Sequence, residues 1–278
     1  MKRAWGAPLL AACLLMAGCA SALDTSQKAD RTQSPAADAR WLTLAVTLPE
    51  DARPLPVKLH YDSARCKEPR SYGVGGQSQS GVAMMRASHY EDLELVKEPT
   101  GNQYKARLAI DAGGPCQWML TSLETAFAYT SRHPLVQGRE VQAHRISFEF
   151  AKAKDAIRAP NVRMVFPYVP VIITDDDIPE KELRLAPLGF FLPPTFDPSA
   201  SGTMYLVFKV HDDKPVTARS IPKDRYRYLV SYPDGSTSIS PSKTSVGNQD
   251  ARIRCLVTPA KGDEKKKDCS NVRPDATD

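Results

Sequence analysis

The sequence predicts a mainly β protein. The expected body is antiparallel and β-sandwich-like, one large or two small lobes, with little helix. Three observations lead there. Runs alternating apolar and polar residues recur at short intervals along the chain. Clusters of Pro, Gly, Asn and Asp separate them. The 23 prolines among 278 residues oppose long helices.

The segments follow in order. Residues 1–18 open with the positive Met1-Lys2-Arg3, continue as the apolar Ala4–Leu15 and end in the small-residue approach Met16-Ala17-Gly18. That is the plan of a removable secretory signal, and its apolar run is too short to cross a bilayer. The stretch "LLMAGCAS" that ends it resembles the lipobox of bacterial lipoproteins. The resemblance implies that the Cys19 thiol is acylated, that the chain is cut before it, and that Cys19 becomes the first mature residue. Met16 stands where Leu is commoner in the family. Ala20, rather than Asp, implies the outer membrane, at its inner leaflet facing the periplasm. The plainer alternative is an ordinary signal cut near Ala20. Residues 19–40 are polar and lack an apolar period, as expected of a flexible tether.

The fold is expected to begin at "WLTLAVTLP" (Trp41–Pro49), where Leu42, Leu44, Val46 and Leu48 form one face of a strand. "PVKLHYD" repeats the pattern, and the short turn between them suggests a hairpin. Further strands are read at 104–111, 116–130, 141–151, 162–173, 203–212, 226–232, 236–240 and 252–257. "PDG" between Tyr232 and Ser236 marks a second hairpin. Val82, Met85, His89 and Leu93 fall at helical spacing, which suggests a short helix over Ser80–Val96. A composition change at Lys152–Asn161 suggests one β-rich lobe over 41–155 and a second over 156–258. The rival is one continuous sandwich with an insertion. Residues 259–278 form a charged C-terminal tail.

Composition excludes several function classes. Removing Lys2 and Arg3 takes the formal charge from +5 to +3, too near balance for a nucleic-acid partner. The longest apolar stretch after Cys19, Val165–Ile173, holds two prolines and is too short to span a membrane. Cys66, Cys116, Cys255 and Cys269 remain, an even number that reads as two disulfides in an oxidising compartment. Of the three possible pairings, Cys66–Cys116 with Cys255–Cys269 keeps each bridge within its own part of the chain. A metal or redox site is disfavoured, because there is no C-x-x-C and no close Cys/His cluster.

No catalytic motif emerges. The G-x-S-x-G elbow is absent, and "GVGGQSQSG" (Gly73–Gly81) lacks the lysine of a phosphate loop, which leaves a flexible loop. His60, His89, His133, His144 and His211 are scattered without metal-ligand spacing. No enzyme activity, cofactor or metal is expected. Two stretches are candidate partner contacts. Asp175, Asp176 and Asp177 form an acidic turn, suited to solvent, to a basic cleft or to a cation. Phe190 and Phe191 lie in a proline-stiffened loop, "RLAPLGFFLPPTFDP", which serves as a contact if exposed and as an inter-sheet connection if buried.

The lipobox, the "VKLHYD…RC" segment (Val57–Cys66), the "C-x-W-x-L-T-S" strand (Cys116–Ser122) and the all-β body together resemble the immunity lipoproteins of type VI secretion lipase effectors. These motifs cover under a quarter of the chain. The resemblance implies a protein that binds a phospholipase-type toxin and blocks its active site, with membrane attachment through Cys19. The alternative is a structural or assembly lipoprotein of the cell envelope or of a secretion machine.

Overall fold

The computed structural model describes residues 28–74, 77–158, 161–175, 178–188, 194–222, 224–243, 245–247, 250–257, 269 and 272. In chain order the elements are β1 (Trp41–Thr47), β2 (Ala52–Pro54), β3 (Val57–Val74), β4 (Gln77–Leu93), β5 (Val96–Lys97), β6 (Gln103–Ala109), β7 (Asp111–Gly113) and β8 (Trp118–Tyr129). A 3₁₀ turn (Pro134–Val136) precedes β9 (Arg139–Gln142), β10 (His144–Glu149), β11 (Asn161–Asp175), β12 (Ile178–Pro187), β13 (Gly202–Val210), β14 (Val216–Ile221), β15 (Asp224–Ser231), β16 (Thr237–Ser240) and the helix α1 (Ala251–Val257).

Two sheets carry the fold, as expected of a sandwich-like body. The smaller runs β10-β8-β3-β4, with β2 and β7 also paired to β8, and is antiparallel throughout. The larger runs β16-β15-β14-β11-β13-β1-β6-β5, with β12 and β9 attached through β11, and is mixed. β13 and then β14 run parallel to successive stretches of β11, and β1 runs parallel to β13.

The main core lies between the sheets. Leu42, Leu44 and Val46 from β1, Phe166 and Tyr168 from β11, and Leu206 and Phe208 from β13 meet Leu59, Tyr61, Trp118, Leu123, Phe127 and Phe148 of the smaller sheet. A second cluster gathers Val169, Val171 and Ile173 of β11 with Val216, Ala218, Tyr228, Val230 and Ile253. Residues 166 and 168 differ in parity from 169, 171 and 173, so β11 buries one face in each core. This accounts for the apolar run "VFPYVPVII", since a strand covered on both sides has no reason to alternate.

Several expectations are corrected. The break near 155 does not separate two lobes, because β1 is hydrogen-bonded to β13 across it. Trp41–Pro49 and Pro56–Asp62 do not form a hairpin; β1 and β3 belong to different sheets, and the connection instead pairs Ala52–Pro54 with β8. Ser80–Val96 is not helix: up to Leu93 it is strand β4, paired along β3, and Val96 begins β5 of the larger sheet. Arg252–Val257 lies in helix, because Asp250 caps it by accepting the Arg252 and Ile253 amides at 2.9 and 3.2 Å. Val141–Ala151 is split, with β9 in the larger sheet and β10 in the smaller. The hairpin of β15 and β16 at "PDG" forms as expected.

The tether is shorter than expected, because residues 28–40 are strapped to the body. Trp118 Nε1 donates to the Asp30 carbonyl at 3.0 Å, the Ser34 amide donates to the Ala112 carbonyl at 2.9 Å, and Arg40 Nε reaches Asp111 at 2.6 Å. The strap crosses Gly113 and Gly114 so closely that a Cβ on Gly114 would lie 1.9 Å from the Thr32 carbonyl oxygen. A further tie joins the sheets. Tyr129 stacks on His133 at 3.7 Å and donates its hydroxyl to Asp212, which lies between β13 and β14.

Both disulfides form in the expected pairing, Cys66–Cys116 and Cys255–Cys269, with Cα separations of 5.1 and 5.9 Å. The first sits where β3 and β4 leave the smaller sheet. Ser63 organises the spot, accepting the Cys66 amide and donating to the Cys116 carbonyl, both at 2.6 Å.

Candidate functional site

An open groove of about 670 Å³ lies on the outer face of the smaller sheet. Along β3 the side chains of Leu59 and Tyr61 enter the core, so His60 and Asp62 point the other way. On β8 a bulge changes the count. His60 faces Ser122 while Tyr61 already faces Leu120, which leaves Thr121 as the extra residue. Leu120 and Leu123 stay buried on either side, and both hydroxyls, Thr121 and Ser122, turn outward beside His60. Arg86 from β4, Glu149 at the end of β10, and Lys152 and Pro198 beyond it also line the groove.

Polar contacts fix the floor. Thr121 Oγ1 donates to the His60 carbonyl at 3.1 Å and lies 3.3 Å from His60 Nδ1. His60 Nε2 is 3.5 Å from Asp62 Oδ1. Across the strand pair, His60 stacks on Tyr90 at 4.4 Å with the rings 8° from parallel, and Tyr90 is 66% exposed. Asp, His and Thr thus stand in the order of a hydrolase relay. However, 3.5 Å is beyond a good hydrogen bond, and the nearer acceptor for the Thr121 hydroxyl is a carbonyl. What the arrangement offers is a shaped polar surface beside an exposed aromatic ring.

The sequence-read contacts fall elsewhere. Asp175 ends β11, half-buried, and accepts the Tyr228 hydroxyl at 3.0 Å. Asp176, Asp177, Phe190, Phe191 and Cys19 lie outside the described residues. Further along, Phe196 is 4% exposed and packs on Phe148 and Phe150. Pro198 then reaches the groove. Asp197 between them accepts the Ser199 hydroxyl and amide and the Arg158 guanidinium, which hold its carboxyl at about 2. Among the described residues, no three His, Cys, Asp or Glu side chains gather as a metal would need.

Sequence reasoning had passed over His60, Asp62, Thr121 and Ser122 as a group. The signal was present in another form, since "VKLHYD…RC" carries the first two and "C-x-W-x-L-T-S" the others. The fold lays these two motifs side by side as β3 and β8, joined by Cys66–Cys116. Among the described residues no helix is long and apolar enough to cross a membrane. Comparison with protein-family models, with curated proteins and with solved structures finds no match.

Proposed function

We propose that this chain is a periplasm-facing lipoprotein, acylated at Cys19, that binds and neutralises a secreted phospholipase-type toxin. The observation that carries the reading is the groove, because the two motifs that resemble lipase-effector immunity proteins converge on it. An inhibitor of this kind needs no reactive group. It needs a rigid surface, and two sheets joined through one core and stapled by a disulfide supply that rigidity. Exposed Tyr90 is the natural anchor, with His60 and Thr121 giving direction.

The test is inhibition. The chain from residue 28 onward is added to type VI phospholipase effectors, and phospholipid hydrolysis is followed. One effector is expected to be inhibited by the parent. Tyr90→Ala together with His60→Ala is expected to weaken that inhibition at least tenfold with the thermal midpoint unchanged. An interface anchor is worth about 2 kcal/mol or more. Failure against all effectors, with capture only of envelope-machine subunits, overturns the reading in favour of an assembly lipoprotein.

A further inference from the structure

Beyond the smaller sheet, β3 and β4 continue as a two-stranded ribbon. β8 accompanies β3 only over Lys58–Ser63, whereas the β3–β4 ladder resumes at Lys67–Arg86 and runs on to Val74–Gln77. From Lys67 to Val74 the ribbon extends about 24 Å. Two strands alone are marginal in water, so such an arm needs a surface to lie against.

Its chemistry is one-sided. Between Ser63 and Tyr90 the chain holds Arg65, Lys67, Arg70 and Arg86 against the single acid Glu68. Glu68 is already engaged by Arg70 at 2.7 Å and by Arg31 at 3.8 Å. Arg65, Lys67 and Arg86 are left exposed. By register Val82 and Met84, 42% and 37% exposed, share the face of Lys67 and Arg86, whereas Met85, 47% exposed, lies on the opposite face across from Glu68. Exposed cations around a small apolar patch match an anionic lipid surface.

The course of the N-terminal strap says where that surface is. Arg31 contacts Glu68 at the foot of the ribbon, and Gln33 donates to Glu91 of β4 at 2.8 Å. The stretch from Cys19 to Arg31 spans at most about 40 Å. A lipid on Cys19 therefore holds the foot of the ribbon within that distance of the bilayer.

We infer that the β3–β4 ribbon docks on anionic phospholipid, as a second contact that fixes the body's orientation beside the anchor. Its placement rests on acylation of Cys19, but its affinity does not, and the two are tested apart. The chain from residue 28 onward, which carries every described element and no acyl chain, is sedimented with vesicles. One set is phosphatidylcholine alone and the other is phosphatidylcholine mixed with phosphatidylglycerol. Binding is expected only to the mixed vesicles, weakening as salt rises. Arg65→Ala, Lys67→Ala and Arg86→Ala together are expected to lower it on the order of a hundredfold, about fivefold per cation. Lys97→Ala, Arg163→Ala and Lys209→Ala, exposed cations elsewhere, are expected to leave it unchanged. Val82→Ser with Met84→Ser is expected to remove the part that survives salt, and Met85→Ser, on the opposite face, is expected to leave it. Equal binding to both vesicle types, or equal loss in the two triple-cation variants, overturns the inference. So does absence of vesicle binding, and loss of toxin inhibition in the ribbon variants would then assign the ribbon to the protein partner. Mass spectrometry of the membrane-extracted N-terminal peptide reports acylation of Cys19 independently.

Discussion

Removing the Cys66–Cys116 bridge as Cys66→Ala with Cys116→Ala tests how the ribbon is held to the body. The bridge closes a loop of sequence separation 50, and the chain-entropy relation gives about 4 kcal/mol for that length. The Cys255–Cys269 bridge closes a separation of 14 and is worth about 3 kcal/mol on the same basis. The native pairing of β3 with β8 over Lys58–Ser63 does not depend on the sulfur atoms, so the folded state is expected to persist. For a body of this size 1 kcal/mol moves the thermal midpoint by about 2–4 °C, so the expected fall is about 8–16 °C. Urea unfolding gives the free energy, and hydrogen exchange gives the location. Amides from Ala64 to Arg70 are expected to lose protection first, because Ser63 aligns its hydrogen bonds against the bridged Cys116 carbonyl. A loss below about 1 kcal/mol, or one smaller than removal of the shorter loop causes, refutes the reasoning. So does unchanged protection at the foot of the ribbon.

Two further outcomes follow from the strap and the groove rim. Gly114→Ala places a Cβ against the Thr32 carbonyl at a φ of +72° and is expected to cost about 1–2 kcal/mol and to lift the strap; trypsin cleavage after Arg31 is expected to quicken, and an unchanged cleavage rate counts against the docking. Asp197 is held at about 2 by Ser199 and Arg158, below the ordinary aspartate value of about 3.9. Its stabilising contribution is therefore complete above the unfolded value and is lost as pH falls through the folded one. Acid unfolding between about pH 4 and 2 is expected to be shallower in Asp197→Asn, and an unaltered profile removes Asp197 from the account.

How much was legible depended on whether neighbours in sequence were neighbours in the fold. The β15–β16 hairpin was readable because its turn and both strands lie within a few residues of "PDG". The disulfide pairing was readable for a similar reason, since each bridge stays within one part of the chain. Ser80–Val96 misled because only its second half lies in the sheet, where Ala87 and Leu93 pack on the core, whereas Val82 and Met85 stand exposed on the ribbon, so Val82, Met85, His89 and Leu93 fell at helical intervals by chance. "RIRCLV" misled because its decisive residue, Asp250, stands outside the run it caps. β12 was hidden because Asp175–Glu180 drew attention as a charged turn, while Leu183 and Leu185 enter the core a few residues later. The groove was illegible as a site. His60 and Thr121 meet only through β3–β8 pairing, and the bulge that turns Thr121 outward leaves no mark in composition.

The parallel pairing of β1 with β13 governs the order in which the molecule can be completed. Leu42 to Thr47 find one neighbour early, in Gln103–Ala109, but their other neighbour begins only at Gly202. A chain emerging from its N-terminus thus carries an open strand edge until most of it has been delivered, and such distant pairing forms slowly, in milliseconds to seconds. Truncation before Gly202 is expected to leave a sticky fragment with an unsatisfied edge rather than a smaller stable protein. Were the chain exported as proposed, that delay would be an advantage, because the topology itself keeps an incomplete molecule from closing before delivery is finished.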